Sequence, residues 1–213
     1  MKTVAVIDYG MSNLRSVSKA LEYVAGNDWR VIVSDETETI LSADKIIFPG
    51  QGAIGNCMNL LKKTGVATAI EQALSNDKPF LGICLGLQTL LTNSEENDGT
   101  IGFNRVAGTV RNFAKSLNLD DSERFKIPHM GWNQVKQTQN HPLWNNIPDN
   151  SRFYFVHSYH VEPTNNNVIV GTTSYGNFDF VSVIAQDNVF AVQFHPEKSQ
   201  NAGLTLLNNF LDW

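Results

Sequence analysis

Residues 3–26 read TVAVIDYGMSNLRSVSKALEYVAG. The opening six form a short apolar run closed by Asp8 and Gly10, which predicts a strand ending at a turn. From Ser12 the pattern changes. A Ser/Asn cap precedes Leu14, Val17, Leu21 and Val24 at helical spacing, and Gly26 supplies the stop. Strand, loop and helix in so short a span form the unit from which parallel sheets are wound. RVIVS (30–34) and KIIF (45–48) read as two further strands buried on both faces, and PGQGAIG (49–55) is a breaker-rich loop before the helical segments NCMNLLKK and VATAIEQALSN. Pro79 then precedes a strand, FLGI (80–83). Strands alternating with helices predict an α/β fold of the doubly wound, flavodoxin-like or Rossmann-like kind, with a mainly parallel central sheet flanked by helices.

Past residue 100 the texture changes to GTVRNF, NQVKQ, SRFYFVHSYH, VIVGTTSYG, FDFVSVIAQ and NVFAVQF, short runs split by Asn, Gly and Pro. This half predicts an additional antiparallel or mixed strand region. The final pattern, NAGLTLLNNFLDW, sets Leu204, Leu207 and Phe210 at helical spacing for packing against the sheet. The segment 113–127, FAKSLNLDDSERFKI, reads as an exposed loop. No repeat or linker divides the chain, so one domain over residues 1–213 is expected.

The 213 residues are 42% hydrophobic and 17% charged, which predicts a packed globule rather than disorder. The net charge of -5 and the lack of any Lys/Arg run give no footprint for nucleic acid. The apolar stretch before Asp8 is too short for a signal-peptide core or a membrane span, so a cytoplasmic location is expected. Two cysteines, Cys57 and Cys84, make no disulfide framework and lack zinc-ligand spacing. Reduced thiols, no metal and no cofactor are the expectation.

Chemistry concentrates at LGICLGLQ (81–88). Cys84 directly follows a strand in a G-x-C-x-G pattern, where Gly82 and Gly86 allow a tight strand-to-helix turn of the nucleophile-elbow kind. A thiolate there would be favoured by the helix N-terminus. The same position suits an inert buried cysteine, and the octapeptide alone leaves both readings open. Cys57, inside a helical pattern, reads as core. A nucleophilic cysteine needs an imidazole and usually a third group to orient it. His195-Pro196-Glu197 offers both: proline favours extended backbone before it, and side chains two apart in an extended segment share one side. His157 and His160, in YFVHSYH, either line a pocket or satisfy backbone groups, while His129 and His141 read as structural or surface residues.

Together these residues resemble the class I (triad) glutamine amidotransferase family: GICLGLQ and VQFHPEKS mark the family, and PGQGAIG, IPHMGWN and YFVHSYH narrow the likeness to its branch serving histidine biosynthesis. The likeness extends from VIDYGMSNLRSV to the last helix. It implies that Cys84 is the nucleophile that attacks the side-chain amide of glutamine, that His195 transfers the proton to ammonia, and that Glu197 orients His195. It also implies an oxyanion hole from the Leu85 N–H and the loop Gly50-Gln51-Gly52, and glutamine contacts from Gln88, His157, Ser158 and Tyr159. Gln51 stands where many relatives carry a small apolar residue, and His160 is assigned no role. Ammonia released into neutral water becomes ammonium and loses its nucleophilic lone pair, so the resemblance implies a partner: a separate (β/α)8-barrel cyclase subunit in a heterodimer, whose occupancy makes the oxyanion loop competent. The alternatives are a paralogous glutaminase feeding another synthase, such as a surface-sugar amidotransferase, and a catalytically silent flavodoxin-like binding module.

Overall fold

The computed structural model describes residues 1–10, 14–117 and 126–213. The Ser12/Asn13 cap therefore lies outside the described residues, as does most of the segment expected to be an exposed loop. Strand β1 (Lys2–Ile7) leads to helix α1 (Leu14–Ala25), whose Val17, Leu21 and Ala25 are buried, and Gly26 ends the helix at φ 56°. Next come β2 (Trp29–Ser34), the short α2 (Thr37–Ser42), β3 (Lys45–Gly50), α3 (Ile54–Thr64) and α4 (Val66–Ser75). Strand β4 (Phe80–Cys84) runs straight into α5 (Leu85–Gln88), a single turn.

Two features of this half differ from the sequence expectation. β2 is the sheet edge, paired only with β1, and Val33 is exposed, so it is not buried on both faces. The helix after Cys84 is one turn long, followed by β5 (Leu91–Ser94), because Leu87 and Leu90 fill the core beneath the turn and the chain re-enters the sheet at once. Four residues carry little macrodipole, so any stabilisation of the sulfur rests on individual donors.

The remaining strands are β6 (Thr100–Ile101), β7 (Val106–Asn112), β8 (His129–Gln137), β9 (Ser151–His157), β10 (Tyr159–Pro163), β11 (Ile169–Tyr175), β12 (Phe178–Gln186) and β13 (Val189–Val192). Between β7 and β8 lies α6 (Phe113–Ser116), capped by Asn112, whose side chain accepts from the Ala114 N–H. Phe113 is fully buried against His157, His160 and Phe180. The start of the segment read as an exposed loop is thus an anchored helical turn, because one aromatic side chain outweighs its polar neighbours. Helix α7 (Gln200–Asp212) closes the fold.

The sheet order is β2-β1-β3-β4-β13-β12-β10-β7-β5-β6, with β11 joined to β12 and β8, and β9 to β8. β1 to β4 and β13 are parallel to one another, and β12, β10, β8, β9 and β11 supply antiparallel pairs, as the two textures of the sequence predict. α1 and α7 cover one face, while α3 and α4 contribute to the core on the other. α7 buries Leu206, Leu207, Phe210 and Leu211, each worth about 1.5–3 kcal/mol. Lys45 ties its end to β3: Nζ donates to the carbonyls of Phe210 and Trp213, both at 2.8 Å. Burial lowers the Lys45 pKa to about 8. Gly203 lets α7 approach closely, since a Cβ there would lie 1.9 Å from the Pro196 carbonyl oxygen. The helix is thereby seated under the His-Pro-Glu segment. Among the described residues, no helix is long and apolar enough to cross a membrane.

Candidate active site

Three neighbouring parallel strands bring the candidate residues to one rim. In register, Gly50 lies beside Cys84 and Val192 beside Ile83, so the glycine loop, the cysteine and the segment leading to His195 all leave the sheet at its carboxyl edge. Cys84 sits at φ 55°, ψ -105°, a backbone region costly for a residue with a Cβ. The turn is possible because Gly82 and Gly86 carry no side chains: a Cβ on Gly86 would meet the Phe48 carbonyl oxygen at 2.0 Å, and one on Gly82 would meet the Gly86 carbonyl oxygen at 2.9 Å.

A cavity of about 370 Å³ opens above this rim, lined among others by Gln51, Gly52, Cys84, Leu85, Gln88, His157, Ser158, Tyr159 and His195. Gly50 and Glu197 lie just behind it, around a much smaller void beside His195. Glu96, Pro128, Val156 and Lys198 also line the main cavity, and none of them was singled out in the sequence. Glu96 doubles as a cap for α3, accepting from the Ile54 N–H at 2.9 Å.

His195 Nδ1 meets Glu197 Oε1 at 2.8 Å. The two are brought together by a 3-10 turn over Pro196–Lys198 rather than by an extended segment, with only His195 itself extended. Proline favours both halves of that geometry, extended before it and helical at it. The segment is pinned to β9: His195 N donates to the Tyr154 carbonyl at 2.9 Å, and Ser199 Oγ donates to the His195 carbonyl while accepting from Tyr154 N. Burial would depress the His195 pKa, but the charge and hydrogen bonding of Cys84, joined by the Glu197 carboxylate, outweigh it and raise it to about 10. His195 Nε2 and Glu197 Oε2 are buried without close hydrogen-bond partners. The imidazole thus lies within reach of Cys84, interacting with it through charge and hydrogen bonding. The cysteine sulfur has the Val156 carbonyl at 4.0 Å and the Gln193 amide nitrogen at 3.6 Å.

The opposite wall is organised by the Tyr159 carbonyl, which can only accept. It receives Gln88 Nε2–H at 3.3 Å and His157 Nδ1–H at 2.8 Å. With its proton on Nδ1, His157 must accept at Nε2, where His129 Nδ1 donates at 2.9 Å; His129 Nε2 in turn accepts from Asn133 at 3.3 Å. Burial lowers the pKa of His157 to about 3 and that of His129 to about 4, so both stay neutral. His129 is thus an interior partner of the cavity wall rather than a surface residue, and His160 is buried with Ser116 Oγ 2.8 Å from its Nε2.

At the loop, the Gln51 N–H is donated to the Tyr9 hydroxyl at 3.3 Å. Leu85, as the first residue of α5, has an N–H without an intrahelical acceptor. Cys57 is fully buried in α3, and burial raises its pKa to about 12, as suits a core residue. No group of three or more His, Cys, Asp or Glu side chains suited to a metal occurs among the described residues.

The family model of class-I glutamine amidotransferases matches residues 5–213. Over its full length the chain is 54% identical to imidazole glycerol phosphate synthase subunit HisH of Hydrogenovibrio crunogenus, covering 97% of that protein. It is 53% identical to subunit HisH 1 of Pseudomonas aeruginosa, covering 98%. Among solved structures, a glutamine amidotransferase superposes with a TM-score of 0.73 at 15% identity, covering 98% of this chain and 97% of the other. A Thermoplasma acidophilum protein described as a putative GMP synthase subunit superposes at 0.70 and 17% identity, covering 100% and 93%. At such identities these structures bear on the fold alone.

Proposed function

Since the chain belongs to the class-I glutamine amidotransferase family, we propose that it is the glutaminase subunit of an imidazole glycerol phosphate synthase, with Cys84, His195 and Glu197 as its triad. The observation that carries the triad is the single cavity in which a strained elbow cysteine faces an imidazole held at 2.8 Å by a buried carboxylate. In this reading the Cys84 thiolate attacks the side-chain carbonyl carbon of glutamine. The carbonyl oxygen takes up the electron pair and is received by the Leu85 N–H and a loop N–H. His195 gives its proton to the departing nitrogen, ammonia leaves, and a γ-glutamyl thioester remains. Water, deprotonated by His195, then adds to the thioester carbon, and glutamate departs as the sulfur recovers its electron pair.

Gln88 spends amide hydrogens on Tyr159 and Gln193, which leaves its carbonyl oxygen, with the Glu96 carboxylate, to accept from the substrate's α-ammonium. Ser158 and Tyr159 line the same wall. The ammonia passes to a cyclase subunit, a (β/α)8 barrel in a cytoplasmic heterodimer, which forms imidazole glycerol phosphate and aminoimidazole carboxamide ribotide. The test is reconstitution with that cyclase and its ribulosyl phosphate substrate. Glutamine must yield imidazole glycerol phosphate, and Cys84→Ala must lower this by at least about 1,000-fold while an ammonium salt at alkaline pH still supports synthesis. Undiminished use of glutamine by Cys84→Ala overturns the assignment.

A further inference from the structure

Gln193 lies just beyond β13 in the run NVFAVQF and is fully buried. An amide in such a place must be hydrogen-bonded at both ends. Its partners are Gln88 Nε2, 3.1 Å from its Oε1, and the Cys84 sulfur, 3.6 Å from its Nε2. Side-chain amides can in principle be turned end for end, but here the direction is imposed from outside. The Tyr159 carbonyl accepts and cannot donate, so it fixes the nitrogen end of Gln88 against it. The same Gln88 nitrogen faces Gln193, which must therefore present its oxygen to Gln88 and its NH2 to the sulfur. With only one turn of helix behind Cys84, this directed N–H is a specific donor where the macrodipole is small.

We propose that Gln193 is a catalytic residue of the glutaminase reaction: its side-chain amide donates to the Cys84 sulfur and stabilises the thiolate. This rests on the reading of Cys84 as the nucleophile. The donor acts when the sulfur carries negative charge, before attack on glutamine and again when the thioester carbon–sulfur bond breaks and the electron pair returns to sulfur. The Val156 carbonyl accepts from the neutral thiol, so the two neighbours favour opposite charge states and Gln193 supplies the one the reaction needs.

The test is the rate at which iodoacetamide alkylates Cys84 at neutral pH, read by site-resolved mass spectrometry with buried Cys57 as the internal control. A hydrogen bond to a charged group corresponds to roughly 10–100-fold. Gln193→Met, nearly isosteric but without a donor, is expected to slow alkylation by at least about tenfold and to lower glutamine turnover in parallel. Alkylation at the wild-type rate in folded Gln193→Met overturns the proposal. A second measurement keeps Gln193 intact: the 15N resonance of its side-chain amide must move in Cys84→Ala, and an unmoved resonance also overturns it. If Cys84→Ala keeps full glutaminase activity, the nucleophile reading fails first, a result separate from either of these.

Discussion

At Gln51 the backbone N–H that would receive a developing oxyanion is donated to the Tyr9 hydroxyl. Burial pushes the Tyr9 pKa far above the ordinary phenol value, so the hydroxyl stays neutral and serves as acceptor to this amide. In the proposed oxyanion hole, engaging both donors requires the Gly50–Gln51 peptide to leave Tyr9. Removing the acceptor weakens the hold by about 1 kcal/mol, so Tyr9→Phe is expected to raise partner-free glutamine hydrolysis about fivefold. An unchanged basal rate in folded Tyr9→Phe would refute this. As candidates, Cys84, His195 and Glu197 are legible in the sequence because each stands in a short motif whose neighbours carry the clue. Gln193 and His129 are not, because the contacts that tie them to the cavity, with Gln88 and Cys84 for Gln193 and with His157 for His129, span 28 to 109 residues of chain. The one available signal was a lone amide inside an apolar strand run, which had to be satisfied by something.

Among the elements, α5 shows how much depends on a missing side chain. Gly86 lets this turn lie directly on β3, and the atom a Cβ would strike is the Phe48 carbonyl oxygen, part of the backbone and unable to swing aside. Gly86→Ala is therefore expected to cost about 3 kcal/mol, measured by urea unfolding, with glutamine hydrolysis falling as the elbow is displaced. Wild-type stability would show that the close approach is not needed. The strand and helix order of the first half is legible because apolar runs alternate with helical spacing. The edge position of β2 is not, since burial of a strand's outer face depends on whether another strand pairs beyond it. The His-Pro-Glu contact is legible in the sequence, but its 3-10 geometry is not, because proline permits extended backbone before it and a helical turn at it.

For the molecule as a whole, the buried histidines set a pH window. In the unfolded chain His129 and His157 take protons near 6.5, whereas in the folded chain they resist until about 4 and 3. Below pH 6.5 the unfolded state binds more protons, so folding free energy falls as pH falls, by about 1.4 kcal/mol per unit for each histidine. His195 runs the other way: its raised pKa contributes stability below 6.5 that is lost as pH rises through about 10. Denaturant unfolding from pH 7 to 4 is expected to show a slope steeper than one histidine gives, and a flat profile would contradict the buried neutral pair. The parallel pairing of β4 with β13 also has a consequence in time. Domains are built from the amino terminus during synthesis, and β4 emerges long before β13, the strand that carries His195 to its side. With Cys84 as the proposed nucleophile and His195 as its proposed base, the nascent chain holds the first without the second, and glutaminase activity is expected only once the last strand is inserted.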